Sequence, residues 1–207
     1  MRVAIVGGTG AFGLALAKRL VAAGDDVVIG SRDAERARAA AEPLGATGAT
    51  NDDVVRGADL VVLATKAEAA LETASALRDA LGATPVLSVA SELRFAKDGV
   101  RPSQEATSIA ERLDAILDGP VVAGLHSLAA ATLGGDEPPE EDAFVCGDHA
   151  DAKELALELA AKVCDGRALD AGPLASARAL EGLTAVIVNL NRRYRARAGI
   201  RVTGLAR

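Results

Sequence analysis

Three glycines near the start of the chain, Gly8, Gly10 and Gly13, have the spacing G-x-G-x-x-G. The apolar run 2–6 before them predicts a strand, and the stretch 11–23 predicts a helix. Glycine suits these positions because a tight turn, a close approach to a pyrophosphate and close helix packing each exclude a side chain. This context predicts a dinucleotide-binding turn whose phosphates lie at the helix N-terminus, beside Ala11 and Phe12.

The type of nucleotide is indicated by the end of the second predicted strand, 26–30. An NAD site carries an acidic residue there, which accepts hydrogen bonds from the ribose. In this chain the strand begins with acidic residues and is followed by Ser31 and Arg32, with Arg36 one helical turn later. A hydroxyl and two guanidiniums suit a 2′-phosphate, which a carboxylate would repel. The cluster therefore predicts NADP.

Arginines in the first turn of a helix have a local cost, because a cation there opposes the positive end of the helix dipole. That cost is reasonable if an anion binds between Arg32 and Arg36. The alternative is a solvated helix start in which the acidic neighbours Asp33 and Glu35 pair with the arginines.

Short β-branched runs alternate with alanine-rich helical stretches along the chain. Further strands are predicted at 60–64, 85–89, 121–124, 143–146 and 167–169, and further helices at 34–42, 51–57, 68–81, 106–117, 150–163 and 174–196. Near-continuous apolar strands alternating with helices indicate a parallel sheet covered on both faces. The predicted fold is α/β: a Rossmann-type, doubly wound, mostly parallel sheet over residues 1–171, with a helical extension over 172–207 that is not an independent domain.

In open α/β sheets the ligand lies across the carboxyl ends of the strands. The candidate residues after three of the predicted strands are Ala64, Thr65, Lys66, Ser88, Ala90, His126, Ser127 and Leu128. Small side chains among them leave room for a flat ring. His126 is the candidate acid or base, and the alternative is a hydrogen-bonded histidine at a strand end.

Several chemistries lack their residues. The only tyrosine, Tyr194, is followed four positions later by Ala198, so the Tyr-x-x-x-Lys of short-chain dehydrogenases is missing. No G-x-S-x-G elbow and no metal-ligand spacing is present, and no metal is predicted. A nicotinamide site without proton-transfer groups suits a second substrate that is itself a hydride-accepting ring, since such a reaction needs mainly proximity and orientation.

Composition narrows the cellular setting. The net charge of −6 argues against nucleic acid as a partner, and no apolar run approaches the ~20 residues of a membrane span. Cys146 and Cys164 match no redox or metal spacing and are expected to be buried thiols in a reducing compartment. With no signal peptide visible, we expect a cytoplasmic protein. The acidic, proline-containing stretch 134–143 is expected to be a solvated surface loop.

The chain resembles the F420H2:NADP oxidoreductases, a family of NADPH-dependent reductases of the deazaflavin coenzyme F420. The matching segments are MRVAIVGGTGAFG, VVIGSR, VVAGLHS, FVCGD and RALDAGPLASARALEGLTAVIVNLN. The resemblance implies hydride transfer between nicotinamide C4 and deazaflavin C5, within a ternary complex in which both rings are stacked. It also implies that NADP(H) and F420 are the small-molecule partners.

By position, Thr9, Ser31, Arg32 and Arg36 match the NADP contacts of that family. The resemblance implies that loops 88–90 and 126–128 line the deazaflavin pocket. It implies further that the final helix closes this pocket and joins two subunits as a homodimer, as the apolar run 174–190 also suggests. We hypothesise that Lys66 contacts an anionic group of either cofactor.

The sequence is also compatible with two other functions. One is an NADPH-dependent reductase of another acceptor, such as a flavin, an imine or chelated iron, and the other is a non-enzymatic NADPH-binding regulator. The arginine-rich end NRRYRARAGIRVTGLAR has three interpretations. It is a solvated or subunit-pairing helix end, a nucleic-acid contact, which the acidic remainder of the chain disfavours, or an attractor for the anionic tail of F420.

Overall fold

The computed structural model describes residues 1–205 and confirms the predicted α/β class. The last two positions of the predicted extension, 206 and 207, lie outside the described residues. The strands are β1 (Arg2–Val6), β2 (Asp26–Ser31), β3 (Thr47–Thr50), β4 (Leu60–Leu63), β5 (Val86–Ser88), β6 (Leu93–Ala96), β7 (Gly99–Pro102), β8 (Val121–Gly124), β9 (Ala143–Gly147) and β10 (Ala168–Asp170). The helices are α1 (Ala11–Ala22), α2 (Ala34–Ala41), α3 (Asn51–Val55), α4 (Ala67–Leu81), α5 (Ile109–Asp114), α6 (Ala130–Leu133), α7 (Ala150–Val163) and α8 (Ala177–Tyr194).

The main sheet has the strand order β3-β2-β1-β4-β5-β8-β9-β10. The first six strands of this order are parallel, β9 runs antiparallel to β8, and β10 runs parallel to β9. From β1 the chain builds outward to β2 and β3, and then crosses to β4 on the other side of β1. This reversal creates a crevice at the carboxyl ends of β1 and β4, where ligands bind in doubly wound folds.

Each face of the sheet carries its own aliphatic core. Val3 and Ile5 pack with Leu16 of α1 and Leu159 of α7, whereas the alternate residues of β1 pack towards α3, α4 and α5. Such alternation follows from the two-residue period of a strand, which sends neighbouring side chains to opposite faces. Helices therefore cover both faces, as the near-continuous apolar strands predicted.

One strand, one short helix and one two-stranded hairpin lie where no element was predicted. The edge strand β3 has the sequence TGAT, which lacks the β-branched apolar run of a buried strand. Gly48 allows it to lie directly against the backbone of Ala37 in α2. The short helix α6 and the hairpin β6–β7 were also missed. The dipeptide Asp98-Gly99, which favours a hairpin turn, was the available signal for the hairpin.

Helix α5 is shorter than the predicted helix 106–117. It begins after Ser108, whose hydroxyl accepts a hydrogen bond from the backbone N–H of Glu111 at 3.0 Å. The Glu111 carboxylate in turn accepts a bond from the Ser108 backbone N–H at 2.7 Å, which completes a capping box. The spacing S-x-x-E therefore marks this helix start in the sequence itself.

The expectation of a solvated loop over 134–143 is wrong for its second half. Asp136, Glu137 and Glu140 are exposed, but Glu141 and Asp142 are buried. The loop is fixed to α1 by the buried guanidinium of Arg19, which donates to the carbonyls of Leu133 and Gly135 at 2.8 Å. The number of acidic residues favoured a solvated loop, but the sequence does not show that Arg167 pairs with the buried Asp142.

The hydropathy of the helices and the state of the two cysteines can be compared with what the composition predicted. Among residues 1–205, none of the helices is both long and apolar enough to cross a membrane. Cys146 and Cys164 are buried free thiols, as expected. Burial raises the pKa of the first thiol to about 12 and that of the second to about 11, so both stay protonated at neutral pH.

Candidate functional site

The glycine turn connects β1 to α1 at the centre of the sheet. The N–H of Gly8 donates to the carbonyls of Ile5 at 3.1 Å and Gly30 at 3.0 Å, which ties the turn to both β1 and β2. A Cβ on Gly8 would lie 2.7 Å from the Ile5 carbonyl oxygen, and one on Gly13 would lie 2.6 Å from the Gly8 Cα. These two positions exclude side chains, for the reasons that the motif predicted.

The third glycine of the motif differs from the other two. A Cβ on Gly10 would meet only the Gly7 carbonyl oxygen, at 3.6 Å, so the outer side of the turn is open. Gly10 is also the N-cap of α1 and has no side chain that could cap the helix. The first N–H groups of α1 are thus available to an anion. The left-handed backbone of the turn belongs to Gly7, at φ +72°, a residue outside the predicted motif.

Ser31, Arg32 and Arg36 gather at the carboxyl end of β2. Ser31 is the last residue of the strand and accepts a hydrogen bond from the Asp33 backbone. The Asp33 carboxylate caps α2, where it accepts bonds from two backbone N–H groups, and Glu35 pairs with Arg38. Neither acid pairs with Arg32 or Arg36 within the described chain. The alternative of a self-neutralised helix start is therefore not found there, and two exposed guanidiniums remain for an anion.

Asn51 is a residue of this region that sequence analysis missed. Its side-chain oxygen accepts a hydrogen bond from the Gly7 N–H at 3.3 Å. A Cβ on Gly30 would lie 2.7 Å from the same oxygen, so the amide sits tightly between the turn and β2. Asn51 follows directly after β3, at the same sheet edge as the other candidates. That placement depends on β3, which the sequence did not reveal.

A cleft of about 560 Å³ runs along the carboxyl ends of β4, β5 and β8. Of the predicted site residues, those that line it are Phe12, Ala64, Thr65, Lys66, Ala90, His126 and Leu128. Further lining residues are Ala67, Glu68, Val89, Ser91, Glu92, Leu93, Phe95, Leu125, Ala129, Ala130, Thr184 and Val188. Phe12 belongs to α1, so the glycine turn opens directly into this cleft.

Two predicted residues are buried beside the cleft. The Ser127 hydroxyl donates to the backbone carbonyl of Asp142 at 2.8 Å, which fixes the loop after β8 to the start of β9. Ser88 is fully buried, and its hydroxyl has no hydrogen-bond partner among residues 1–205. Ser88 ends β5 and Ser127 follows β8, so both lie at strand ends as predicted, but neither lines the cleft.

His126 has the geometry of a hydrogen-bonded strand-end histidine. It is buried, with Nε2 3.3 Å from the carbonyl oxygen of Ala90. Because a carbonyl only accepts, Nε2 carries the proton and Nδ1 is an acceptor. Nδ1 has no partner in the described part of the chain. Burial lowers the pKa of His126 to about 4, although the bond to Ala90 opposes this shift. The ring is therefore neutral at neutral pH and has no imidazolium proton to donate as a general acid.

The turn that carries His126 is strained. Leu125 has a left-handed backbone with φ +64°, which costs a residue with a Cβ roughly 1 kcal/mol or more. Two backbone bonds hold it: its N–H donates to Phe144 at 3.1 Å, and its carbonyl accepts from Leu128 at 3.0 Å. The surrounding structure thus imposes a conformation that brings the three side chains of Leu125, His126 and Leu128 to the cleft.

Helix α8 closes the cleft from the C-terminal extension. The Thr184 hydroxyl donates to the His126 carbonyl at 3.0 Å and lies 2.9 Å from the Ser91 hydroxyl. One turn later, Val188 lines the cleft. Glu181 is buried and accepts a bond from the Ala110 N–H at 3.3 Å, and burial raises its pKa to about 7. These contacts place the extension and the Rossmann sheet around a single site.

The arginines after α8 lie apart from this cleft. Arg192 and Arg193 end the helix and are exposed, where cations complement the helix dipole. Arg197 and Arg201 line a separate cavity of about 460 Å³ together with Glu137, Glu140 and Glu141. Within residues 1–205, no group of three or more histidine, cysteine or acidic side chains has the arrangement of a metal site.

Comparison with known proteins gives consistent matches. Residues 2–92 match the family model described as NADP oxidoreductase coenzyme F420-dependent. The F420-dependent NADP reductase of Methanothermobacter thermautotrophicus is 37% identical over 99% of this chain and 96% of its own length. The protein of the same name from Methanocaldococcus jannaschii is 32% identical over 99% of both chains. The crystal structure of a putative F420-dependent NADP reductase from Arthrobacter sp. FB24 superposes with a TM-score of 0.79, at 26% identity, over 94% of this chain and 95% of that chain.

Proposed function

This chain belongs to the family of F420-dependent NADP reductases, and we propose that it transfers a hydride between NADPH and coenzyme F420. The hydride passes between C4 of the nicotinamide ring and C5 of the deazaflavin ring. The observation that carries this proposal is the continuity of the site: the anion-accepting glycine turn opens into a ring-sized cleft of about 560 Å³. One cleft thus offers room for the nicotinamide and deazaflavin rings in contact.

The NADP half of the site follows from the polar groups around β1 and β2. The open side of Gly10 and the free N–H groups of α1 suit the pyrophosphate. Thr9 and Ala11 flank this position in the turn, and Ser31, Arg32 and Arg36 would hold the 2′-phosphate. Ala64 and Thr65 follow β4 and lie next to the turn. The contacts of Ser31, Arg32 and Arg36 to the 2′-phosphate would select NADPH over NADH.

The residues of the cleft position two rings and do not move protons. His126 is neutral, and its buried Nδ1 has no partner among residues 1–205, so the ring does not supply a proton to the cleft. Ala90, Leu128 and Val188 supply an aliphatic surface to the cleft. A direct transfer between stacked rings in a ternary complex needs orientation more than acid–base chemistry. We therefore assign the catalytic effect to positioning.

A spectrophotometric assay tests the proposed reaction. We expect the purified protein to bleach the visible absorbance of oxidised F420 rapidly with NADPH and slowly with NADH. Parallel assays with FMN, a cyclic imine and a ferric chelate test the other acceptors. Faster turnover of one of those acceptors would contradict the assignment. Tight NADPH binding without turnover of any acceptor would indicate a regulator instead.

Lys66 is expected to contact an anionic group of one of the two cofactors. It lines the mouth of the cleft, is exposed and makes no side-chain cap bond to α4. Lys66→Met should raise the KM of one cofactor about 3- to 10-fold, as expected for loss of a partly solvated charge-assisted bond. Lys66→Arg, which keeps the charge, should stay within about twofold. Unchanged KM values for both cofactors in Lys66→Met would exclude this contact.

We propose that a second copy of the chain covers the outer face of α8. This face carries an apolar stripe at helical spacing: Ala179, Leu183, Val186, Leu190 and Tyr194. Val186 is 51% and Tyr194 68% exposed, although most large apolar residues of the chain are buried. We further propose that the protein is cytoplasmic, because the free thiols of Cys146 and Cys164 stay reduced in that compartment.

Val186→Glu is expected to convert the dimer to a monomer, because it places a charge at the centre of the stripe. The molar mass measured by light scattering after size exclusion should fall by half. Ala22→Glu, at an exposed position of α1 remote from the stripe, is the matched control and should leave the mass unchanged. A wild-type protein that is already monomeric at micromolar concentration would refute the dimer.

A further inference from the structure

An exposed phenylalanine on the hairpin β6–β7 lines the cleft. The chain is poor in aromatic residues, with three Phe, one Tyr and no Trp in 207 residues. Phe12 and Phe95 both line this cleft. Phe95 is 73% exposed, the largest exposed fraction among the large apolar side chains described. A chain with very few aromatic residues thus places one of them, largely uncovered, beside its proposed substrate site.

The hairpin geometry shows that Phe95 is on the inward face. Phe95 lies directly opposite Val100 in the antiparallel pair, and directly opposite residues share a face. Val100 is only 3% exposed because it packs against the protein. The neighbouring pair, Arg94 and Arg101, is exposed on the other face. Phe95 therefore lies on the inward face of the hairpin, where it lines the open cleft and is largely uncovered.

The hairpin is fixed to the helix that closes the cleft. Asn189 of α8 accepts a bond from the Val100 N–H at 2.8 Å and donates to the Val100 carbonyl at 2.7 Å. A Cβ on Gly99 would lie 2.9 Å from the Asn189 side-chain oxygen, so this approach requires glycine. Thr184 and Val188 of the same helix line the cleft. The position of the Phe95 ring is thus set by the same element that completes the site.

We propose that the Phe95 ring packs against the planar deazaflavin of F420 and so positions this substrate. This inference rests on the proposed function. An aromatic ring with an uncovered face suits an offset-stacked partner of similar size. Leu93, two residues earlier on the same strand face, also lines the cleft and extends the apolar surface beneath the ring. The apolar stripe proposed for dimerisation lies on the outer face of α8, away from Val188 and the cleft.

The test compares Phe95→Ala and Phe95→Trp with Arg94→Ala, the matched control. Arg94 is the neighbouring residue of β6 and points to the outer face. The dissociation constant of F420 is measured by isothermal titration calorimetry in 0.2 M NaCl, together with the KM of both cofactors and the molar mass. We expect Phe95→Ala to raise the Kd and KM of F420 about 10-fold with the KM of NADPH within about twofold. Phe95→Trp should restore F420 binding to within about threefold, and Arg94→Ala should match the wild type.

Three results would overturn the proposal. The first is an unchanged F420 Kd in Phe95→Ala while the wild type binds and reduces F420. The second is an equal rise in the Kd of F420 for Phe95→Ala and Arg94→Ala, which would indicate a general effect on the hairpin. The third is a loss of the dimer in Phe95→Ala, which would show that a second copy covers the ring. If the wild type neither binds nor reduces F420, the proposed function itself fails.

Discussion

Replacing Arg32 with alanine is expected to raise the KM of NADPH about 10- to 100-fold and to leave the KM of NADH almost unchanged. Arg32 is exposed at the carboxyl end of β2, beside the Ser31 hydroxyl and one helical turn from Arg36. The two acids next to it are already engaged, Asp33 as the cap of α2 and Glu35 with Arg38. A charge-assisted bond to the 2′-phosphate contributes about 1.5–3 kcal/mol, which sets the size of this effect.

The measurement is kcat/KM for NADPH and for NADH, with F420 held at saturation. Arg38→Ala is the matched control, since it removes an arginine of the same helix that pairs with Glu35 instead. The double variant Arg32→Ala/Arg36→Ala should lose the preference for NADPH altogether. A drop of equal size with both nucleotides would assign Arg32 to a general contact, and the 2′-phosphate site would then be wrong.

The parts of the site that the sequence predicted are those whose chemistry is local. Gly8, Gly10 and Gly13 act within seven residues of a single turn, so their spacing alone indicates the backbone that they form. The basic cluster at the end of β2 is local in the same sense. The parallel sheet was predictable because its central strands, β1, β2, β4, β5 and β8, are buried on both faces and have an apolar composition.

The missed residues depend on contacts between distant segments. Thr184 reaches the cleft only because α8 packs on the loops after β5 and β8. Asn51 is positioned by β3, an edge strand without an apolar pattern. Phe95 is presented by a hairpin that is held through Asn189, nearly a hundred residues later in the chain. No spacing within one segment reports such placements.

The behaviour of His126 and Ser127 shows a further limit. Both follow β8, and the rule for parallel sheets correctly places them at the ligand edge. The strained backbone at Leu125 then decides which side chain lines the cleft and which turns inward. His126 lines the cleft, whereas the Ser127 hydroxyl turns to the carbonyl of Asp142. A position at a strand end was predictable, but the direction of each side chain was not.

The bond from Ser127 leads to the residue with the largest expected effect on stability. The Asp142 carboxylate is fully buried and accepts bonds from Arg167, through the side chain at 2.7 Å and the backbone at 2.8 Å, and from the Val202 N–H at 2.8 Å. It therefore joins the start of β9 to the segment before β10 and to the C-terminal tail. Asp142→Ala leaves these donors unpaired and should lower the free energy of unfolding by about 3 kcal/mol.

For a chain of this size that loss corresponds to a fall in Tm of roughly 6–12 °C. Thermal unfolding at pH 7 measures it, with Asp118→Ala as the control, because Asp118 pairs with Arg78 at an exposed site and its loss should leave the Tm unchanged. The side-chain bond from Arg167 holds the pKa of Asp142 well below its usual value of 3.8. The stabilisation is thus complete above about pH 4 and declines as the pH falls further, so the wild type and Asp142→Ala should converge in strong acid. A difference in Tm that persists undiminished at pH 2 would show that the carboxylate charge is not its cause.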